Sequence, residues 1–195
     1  MSRLTVFLFT LFPAVALSQV NSTLHRDPSR GVTLLPASVA WADQASALSL
    51  NPAGLNKLGA VELLWAHERS LARDHLVDGL YLGLAPIGPV GAGVSVEWVR
   101  NGANTERSRK TSVGFGAGSE ALSLGAAVNF FHSDSLEALT SLDLGVQSRP
   151  SRYFSLGATI KNVDAPTRGS ILLPRVWTVG GGARPFGERI TLGVD

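Results

Sequence analysis

Val90-Gly91-Ala92-Gly93-Val94-Ser95-Val96-Glu97-Trp98 is the stretch that decides the fold class of this chain. Its apolar side chains stand at every second position, with Gly, Ser or Glu between them, the period that sends alternate residues to opposite faces of a strand. The same alternation returns in Leu122, Leu124, Ala126, Val128 and Phe130 against Ser123, Gly125, Ala127 and Asn129. It recurs in Val113, Phe115 and Ala117; in Leu142, Leu144 and Val146 against Asp143, Gly145 and Gln147; and in Phe154, Leu156, Ala158 and Ile160 against Ser155, Gly157, Thr159 and Lys161. Less regular segments at 61–67, 79–85 and 176–184 and a start at Ile190 bring the train to about eight complete strands and the opening of a ninth. No helical pattern separates them, so consecutive strands are expected to pair as an antiparallel meander.

The links between strands suggest where that meander lives. Long polar links (68–78, 101–110, 133–140, 162–174) alternate with short ones (86–89, 119–121, 149–152, 185–188), the pattern of a transmembrane β-barrel with loops on one rim and tight turns on the other. The composition agrees: 45% of residues are hydrophobic and 16% charged, with 21 glycines, which suits strands in a bilayer better than a surface rich in Lys and Glu. Trp65, Trp98, Phe130 and Trp177 fall near the outer ends of their strands, and Phe115, Phe154 and Phe186 near the opposite ends. Such sorting predicts two aromatic girdles at headgroup level. The face opposite the apolar one carries Gly, Ser, Ala and Thr with Glu97, Asn129, Asp143, Gln147 and Lys161. Small residues there leave room for an inserted segment, and 40–55 is expected to lie in or beneath the lumen.

Three regions follow. Residues 1–18 read as a cleaved export signal, with Arg3 as the positive start, an apolar core from Leu4, and Ala16-Leu17-Ser18 as the small-residue site. Residues 19–60 form the plug segment, polar and irregular up to Leu35, and 61–195 the strands. Within the plug, Asp43 is expected to cap a turn over 44–48, Asn51-Pro52 to force the chain out of helix, and Gly54 to allow the tight exit.

Residues 38–47 leading into Asn51-Pro52-Ala53-Gly54-Leu55 resemble the N-terminal segment of the FadL/PorV superfamily of bacterial outer-membrane β-barrels. There an Asn-Pro-Ala-Gly motif follows an Asp-containing small-residue stretch and belongs to a plug or hatch inside the barrel. A strand ending in Lys161-Asn162 and the later Leu173-Pro174-Arg175 also look like that group. The resemblance implies an outer-membrane location, contact with lipid and lipopolysaccharide, and either passage of hydrophobic small molecules or a scaffold or shuttle role for secreted proteins. Barrels of that group have more strands than this chain supplies, so a continuation past Asp195 is expected. Similar barrel segments also resemble the front of longer proteins carrying an SppA-type signal peptide peptidase, although 1–195 carries none of that protease's chemistry.

Other chemistry finds little support. The chain has no cysteine, so no disulfide holds it, and a net charge of +2 gives no electrostatic case for nucleic acid. His67, Asp74, His75 and Asp78 are read as solvated residues of one long loop, lacking rigid metal-ligand spacing; no metal and no cofactor are expected. No serine sits in a sharp elbow beside a base, so no nucleophile is assigned. Arg100, Arg107, Arg109 and Lys110 are placed in a second loop, solvated or meeting lipopolysaccharide phosphates. Gly180-Gly181-Gly182 lacks the following helix of a phosphate loop and reads as a strand bend or a close approach to the plug.

Overall fold

The computed structural model describes residues 38–70, 75–101, 107–133, 136–168, 171–185 and 192–195. The expected export signal, the run 19–35, Asp74, Phe186 and Ile190 lie outside these residues. The strands are β1 (Glu62–Ser70), β2 (His75–Ile87), β3 (Val90–Asn101), β4 (Arg107–Gly118), β5 (Leu122–Ser133), β6 (Leu136–Ser151), β7 (Phe154–Lys161), β8 (Thr167–Arg168), β9 (Ile171–Leu172), β10 (Val176–Ala183) and β11 (Leu192–Val194). Nine of them form one sheet in the order β1-β2-β3-β4-β5-β6-β7-β10-β11, and β8 and β9 form a separate two-stranded hairpin. Every neighbouring pair in the large sheet is antiparallel.

The all-β meander is therefore present. Closure is not found among the described residues: β1 and β11 are the two edges of the sheet and do not pair with each other. Several strands also run further than their alternation indicated, with β1 reaching Ser70, β2 starting at His75 and β6 at Leu136. The cause is that ladder hydrogen bonds need only backbone, so pairing continues after both faces have turned polar. His67 is paired in register with Asp78, and Arg100 with Arg107, so these are strand residues rather than loop residues.

The short turns keep their chemistry. Gly88, between β2 and β3, has φ 61°, the left-handed region that favours glycine. Between β7 and β10, Asn162 is left-handed at φ 53° and donates from Nδ2 to Pro174 O at 3.0 Å, while Arg175 Nε donates to Val163 O at 3.0 Å. The Lys161-Asn162 strand end and the Leu173-Pro174-Arg175 lead-in are thus tied together, with the β8–β9 hairpin projecting between them. That hairpin had no signal in the alternation because each of its strands is only two residues long.

The two faces of the sheet are inverted relative to a water-soluble protein. One face is bare and apolar: Leu63, Trp65, Val94, Trp98, Val113, Phe115, Leu124, Phe130, Leu156, Trp177 and Val179 are all exposed. Leu124 keeps 60% of its surface in the open and Val179 72%. The other face is buried and carries Gly, Ser95, Glu97, Lys110, Ser112, Asn129, Asp143, Gln147, Ser155 and Thr159. What buries it is the N-terminal segment. A short helix α1 (Ala47–Leu50) and a 3-10 helix (Pro52–Lys57) lie against the polar, glycine-rich face, packing on β2 through β6. Ala42, Ala47, Leu48, Leu55 and Leu58 cluster with Ala127 there. Each of the three leucines gains about 1.5–3 kcal/mol by leaving water.

Candidate functional site

The register aligns glycines across four strands. Gly91 of β3 stands opposite Gly116 of β4, Gly116 opposite Gly125 of β5, and Gly125 opposite Gly145 of β6. A side chain at any of them would collide with the N-terminal segment: a Cβ would lie 2.0 Å from Leu55 O at Gly91, 2.5 Å from Pro52 O at Gly116, 2.2 Å from Ala53 N at Gly125 and 2.1 Å from Asn51 Oδ1 at Gly145. The contact continues along the sheet. Val39 O lies 2.2 Å from a Cβ at Gly157 of β7, and Trp41 Nε1 lies 2.1 Å from one at Gly182 of β10. The segment thus crosses the strands nearly perpendicular to them, backbone against backbone, in a groove that exists because the side chains are missing.

Asn51 is the pivot. Fully buried, it ends α1 by donating its backbone N–H to Ala47 O at 2.8 Å. Its backbone is extended (φ −154°, ψ 100°), as the following Pro52 requires. Its Oδ1 then accepts from Ala53 N at 3.2 Å and caps the 3-10 helix, with Pro52 in the first turn where a missing N–H costs nothing. Its Nδ2 donates to Val39 O at 2.8 Å and to Val146 O of β6 at 2.9 Å. One side chain therefore joins the start of the segment, its helical turn and the sheet.

Gly54 is needed for space. A Cβ there would fall 1.5 Å from Ala42 O, so the segment folds on itself only with glycine at this position. Ala53 is closed in just as tightly, being fully buried on Gly116 and Gly125.

Asp43 does not cap the helix as the sequence suggested. The helix begins after Ser46, which makes no side-chain cap. Asp43 instead accepts from Arg149 Nη2 at 3.0 Å and Arg184 Nη2 at 3.2 Å through the same Oδ2, and both guanidinium groups lie over the Trp41 ring, at 4.7 and 3.9 Å. Two mostly buried cations outweigh a helix cap, because each gains a charge-assisted bond and an aromatic face. Further ties fasten the segment: Gln147 Nε2 and Ser155 Oγ both donate to Ala40 O, Ala45 N donates to Glu62 Oε2 at 2.8 Å, and Val39 N donates to the Asp195 carboxylate. Lys57 Nζ donates to Ser119 O and Glu120 O, each at 3.1 Å, and partial burial with Arg149 nearby holds its ammonium below the usual lysine value.

Further along the buried face runs a polar chain. Glu97 Oε1 accepts from Ser49 Oγ at 2.8 Å and from Lys110 Nζ at 3.1 Å, and Asn129 joins Ser112, Ser141 and Asp143. Lys110 is buried on this chain and is neither solvated nor in a loop. Its signal was present in the sequence: Glu97 and Lys110 occupy facing positions of consecutive strands. Arg149 and Arg184 offered no such clue, since their partner lies 106 and 141 residues away.

The residues expected in the girdles, Trp65, Trp98, Phe130, Phe154 and Trp177, are all exposed on the bare face, whereas Tyr81 and Phe131 are buried on the other. Trp65 pairs with Leu80, and the row continues through Val96 and Thr111 to Phe130. Trp98 stands two residues beyond Val96 on β3, while Trp177 lies opposite Ile160 and Phe154 opposite Ala183 near the far end of β7. Among the described residues no cluster of His, Asp or Glu could hold a metal ion. His67 Nδ1 instead contacts Asp78 Oδ1 at 2.8 Å, and Asp78 also receives Arg100. No protein family, no curated protein and no solved structure matches the chain.

Proposed function

We propose that this chain forms the wall of a bacterial outer-membrane β-barrel whose lumenal face is closed by its own N-terminal segment, and that the plugged barrel serves as a scaffold for exported proteins. The observation that carries the reading is the inversion of the two faces. A sheet face that exposes Leu63, Trp65, Val113, Phe115, Leu156 and Trp177 side by side with other large apolar residues needs a cover, and the 8–16 residues of β1 to β7 and β10 suit a hydrocarbon layer. The opposite face is already filled by the Asn-Pro-Ala-Gly segment. A scaffold role is favoured over passage of hydrophobic molecules because Leu48, Leu55 and Leu58 of the segment already occupy the covered face, which also buries Val77, Val99 and Phe131, so a hydrophobic solute would have to displace those leucines.

The test is to refold the full chain with and without phospholipid vesicles, and to follow flotation, circular dichroism and gel mobility before and after boiling. A vesicle-bound, strand-rich species of altered mobility is expected only with lipid. Folding to the same species in plain buffer would overturn the membrane reading. Saturable binding of a fluorescent fatty acid to the inserted protein would overturn the scaffold role in favour of hydrophobic transport.

A further inference from the structure

Resting on that membrane reading, we propose that Arg69, Arg100, Arg107 and Arg109 form a surface that binds the phosphate groups of lipids in the surrounding bilayer, as lipopolysaccharide presents them. All four are exposed, and all lie on strands rather than in loops. Their placement follows from the strand period. Arg100 shares its face of β3 with Trp98, Val96 and Val94, and Arg107 and Arg109 share theirs on β4 with Val113 and Phe115, so these cations belong to the bare apolar face.

The register gathers them beside the aromatic row. Arg109 lies directly opposite Trp98 and His132, Arg100 opposite Arg107, and Arg69 opposite Leu76, which in turn faces Arg100. Like charges facing each other across a ladder are unfavourable unless an anion lies between them. Among the described residues of this face Asp78 is the carboxylate at hand, and it is engaged by Arg100 at 2.9 Å and by His67. Arg107 and Arg109 make no ion pair among the described residues. Chains of hydrocarbon against Val94, Val113 and Phe115 would bring head groups to the level just past Trp98, where these guanidinium groups stand. Bidentate guanidinium donors match phosphate oxygens in geometry as well as charge.

The experiment inserts the full chain into phosphatidylcholine vesicles and measures retention of bis-phosphorylated or dephosphorylated lipid A by native mass spectrometry after detergent extraction. Arg107→Gln/Arg109→Gln is compared with wild type and with Arg152→Gln on the opposite rim. Phosphorylated lipid A is expected to be retained roughly twentyfold more weakly by the double variant, while Arg152→Gln matches wild type and added salt weakens only the arginine-dependent part. Equal retention of the two lipid A forms, or a double variant equal to wild type, would overturn the proposal while leaving the membrane reading standing. Displacement by excess inorganic phosphate as effective as by lipid A would also overturn it, showing an anion site without lipid preference. Failure of the chain to enter vesicles would remove both readings together.

Discussion

The Oδ1 of Asn51 lies 2.1 Å from the point where a Cβ on Gly145 would stand, so the amide occupies the volume that the strand leaves vacant. The absence of a side chain on β6 and the presence of one on the segment are two halves of one contact. Replacing Gly145 with valine should separate them. The segment has no free direction of retreat, with Val39 O and Val146 O both bonded to Asn51 Nδ2. A cost of about 3 kcal/mol is expected. Limited proteolysis of the folded protein checks it: residues 40–55 resist cleavage in wild type and are cut in Gly145→Val.

Asn51→Ala should lower stability by about 2–4 kcal/mol, since it leaves two buried carbonyls and the Ala53 amide without partners. Asn51→Asp should be as damaging, because a carboxylate cannot donate to Val39 O or Val146 O. Urea unfolding of the lipid-inserted chain measures both. An Asn51→Asp variant as stable as wild type would contradict the assigned donor role.

Asp43→Asn removes the charge shared by Arg149 and Arg184 and leaves two partly buried guanidinium groups repelling one another over Trp41. A loss of about 1–3 kcal/mol is expected. The discriminating readout is salt: raising ionic strength should destabilise wild type slightly and the variant not at all, because screening weakens attraction in the first and relieves repulsion in the second.

Val113→Lys tests the bare face at the middle of β4. On a protein folded in water, a lysine at a site already 52% exposed would be harmless or would improve solubility. Facing a bilayer midplane, it should cost about 2–4 kcal/mol. Folding yield into vesicles, compared with Ser148→Lys at the turn end of β6, separates the two outcomes.

How far the fold was legible follows from where alternation is strong. The runs beginning at Val90, Leu122 and Phe154 announced strands and both of their faces, because one face is consistently apolar and the other small or polar. The glycines of those runs also anticipated a close neighbour, and the band Gly91, Gly116, Gly125 and Gly145 is where the segment lies. Strand ends were not legible, since His67, Asp78, Arg100 and Arg107 carry no apolar alternation, and it is the backbone ladder that continues through them, with Asp78 also engaged by His67 and Arg100. Within the site, Asn51, Pro52, Ala53 and Gly54 were readable as a turn, because local chemistry alone dictates it. The role of Asp43 was not: its preference for a helix start is local, and the arginines that capture it, Arg149 and Arg184, come from 106 and 141 residues away at the ends of β6 and β10.

On the membrane reading the apolar face meets lipid while the N-terminal segment is shielded from it, and the four tryptophans divide between the bare face and the buried segment. Trp65, Trp98 and Trp177 are exposed on the bare face at 66%, 42% and 67%, whereas Trp41 is 3% exposed beneath the two arginines. Single-tryptophan variants, the other three positions changed to phenylalanine, can be inserted into vesicles of brominated phosphatidylcholine and their fluorescence followed. Strong quenching of Trp65, Trp98 and Trp177 and almost none of Trp41 is expected. Equal quenching of all four, or quenching of Trp41 alone, would contradict it.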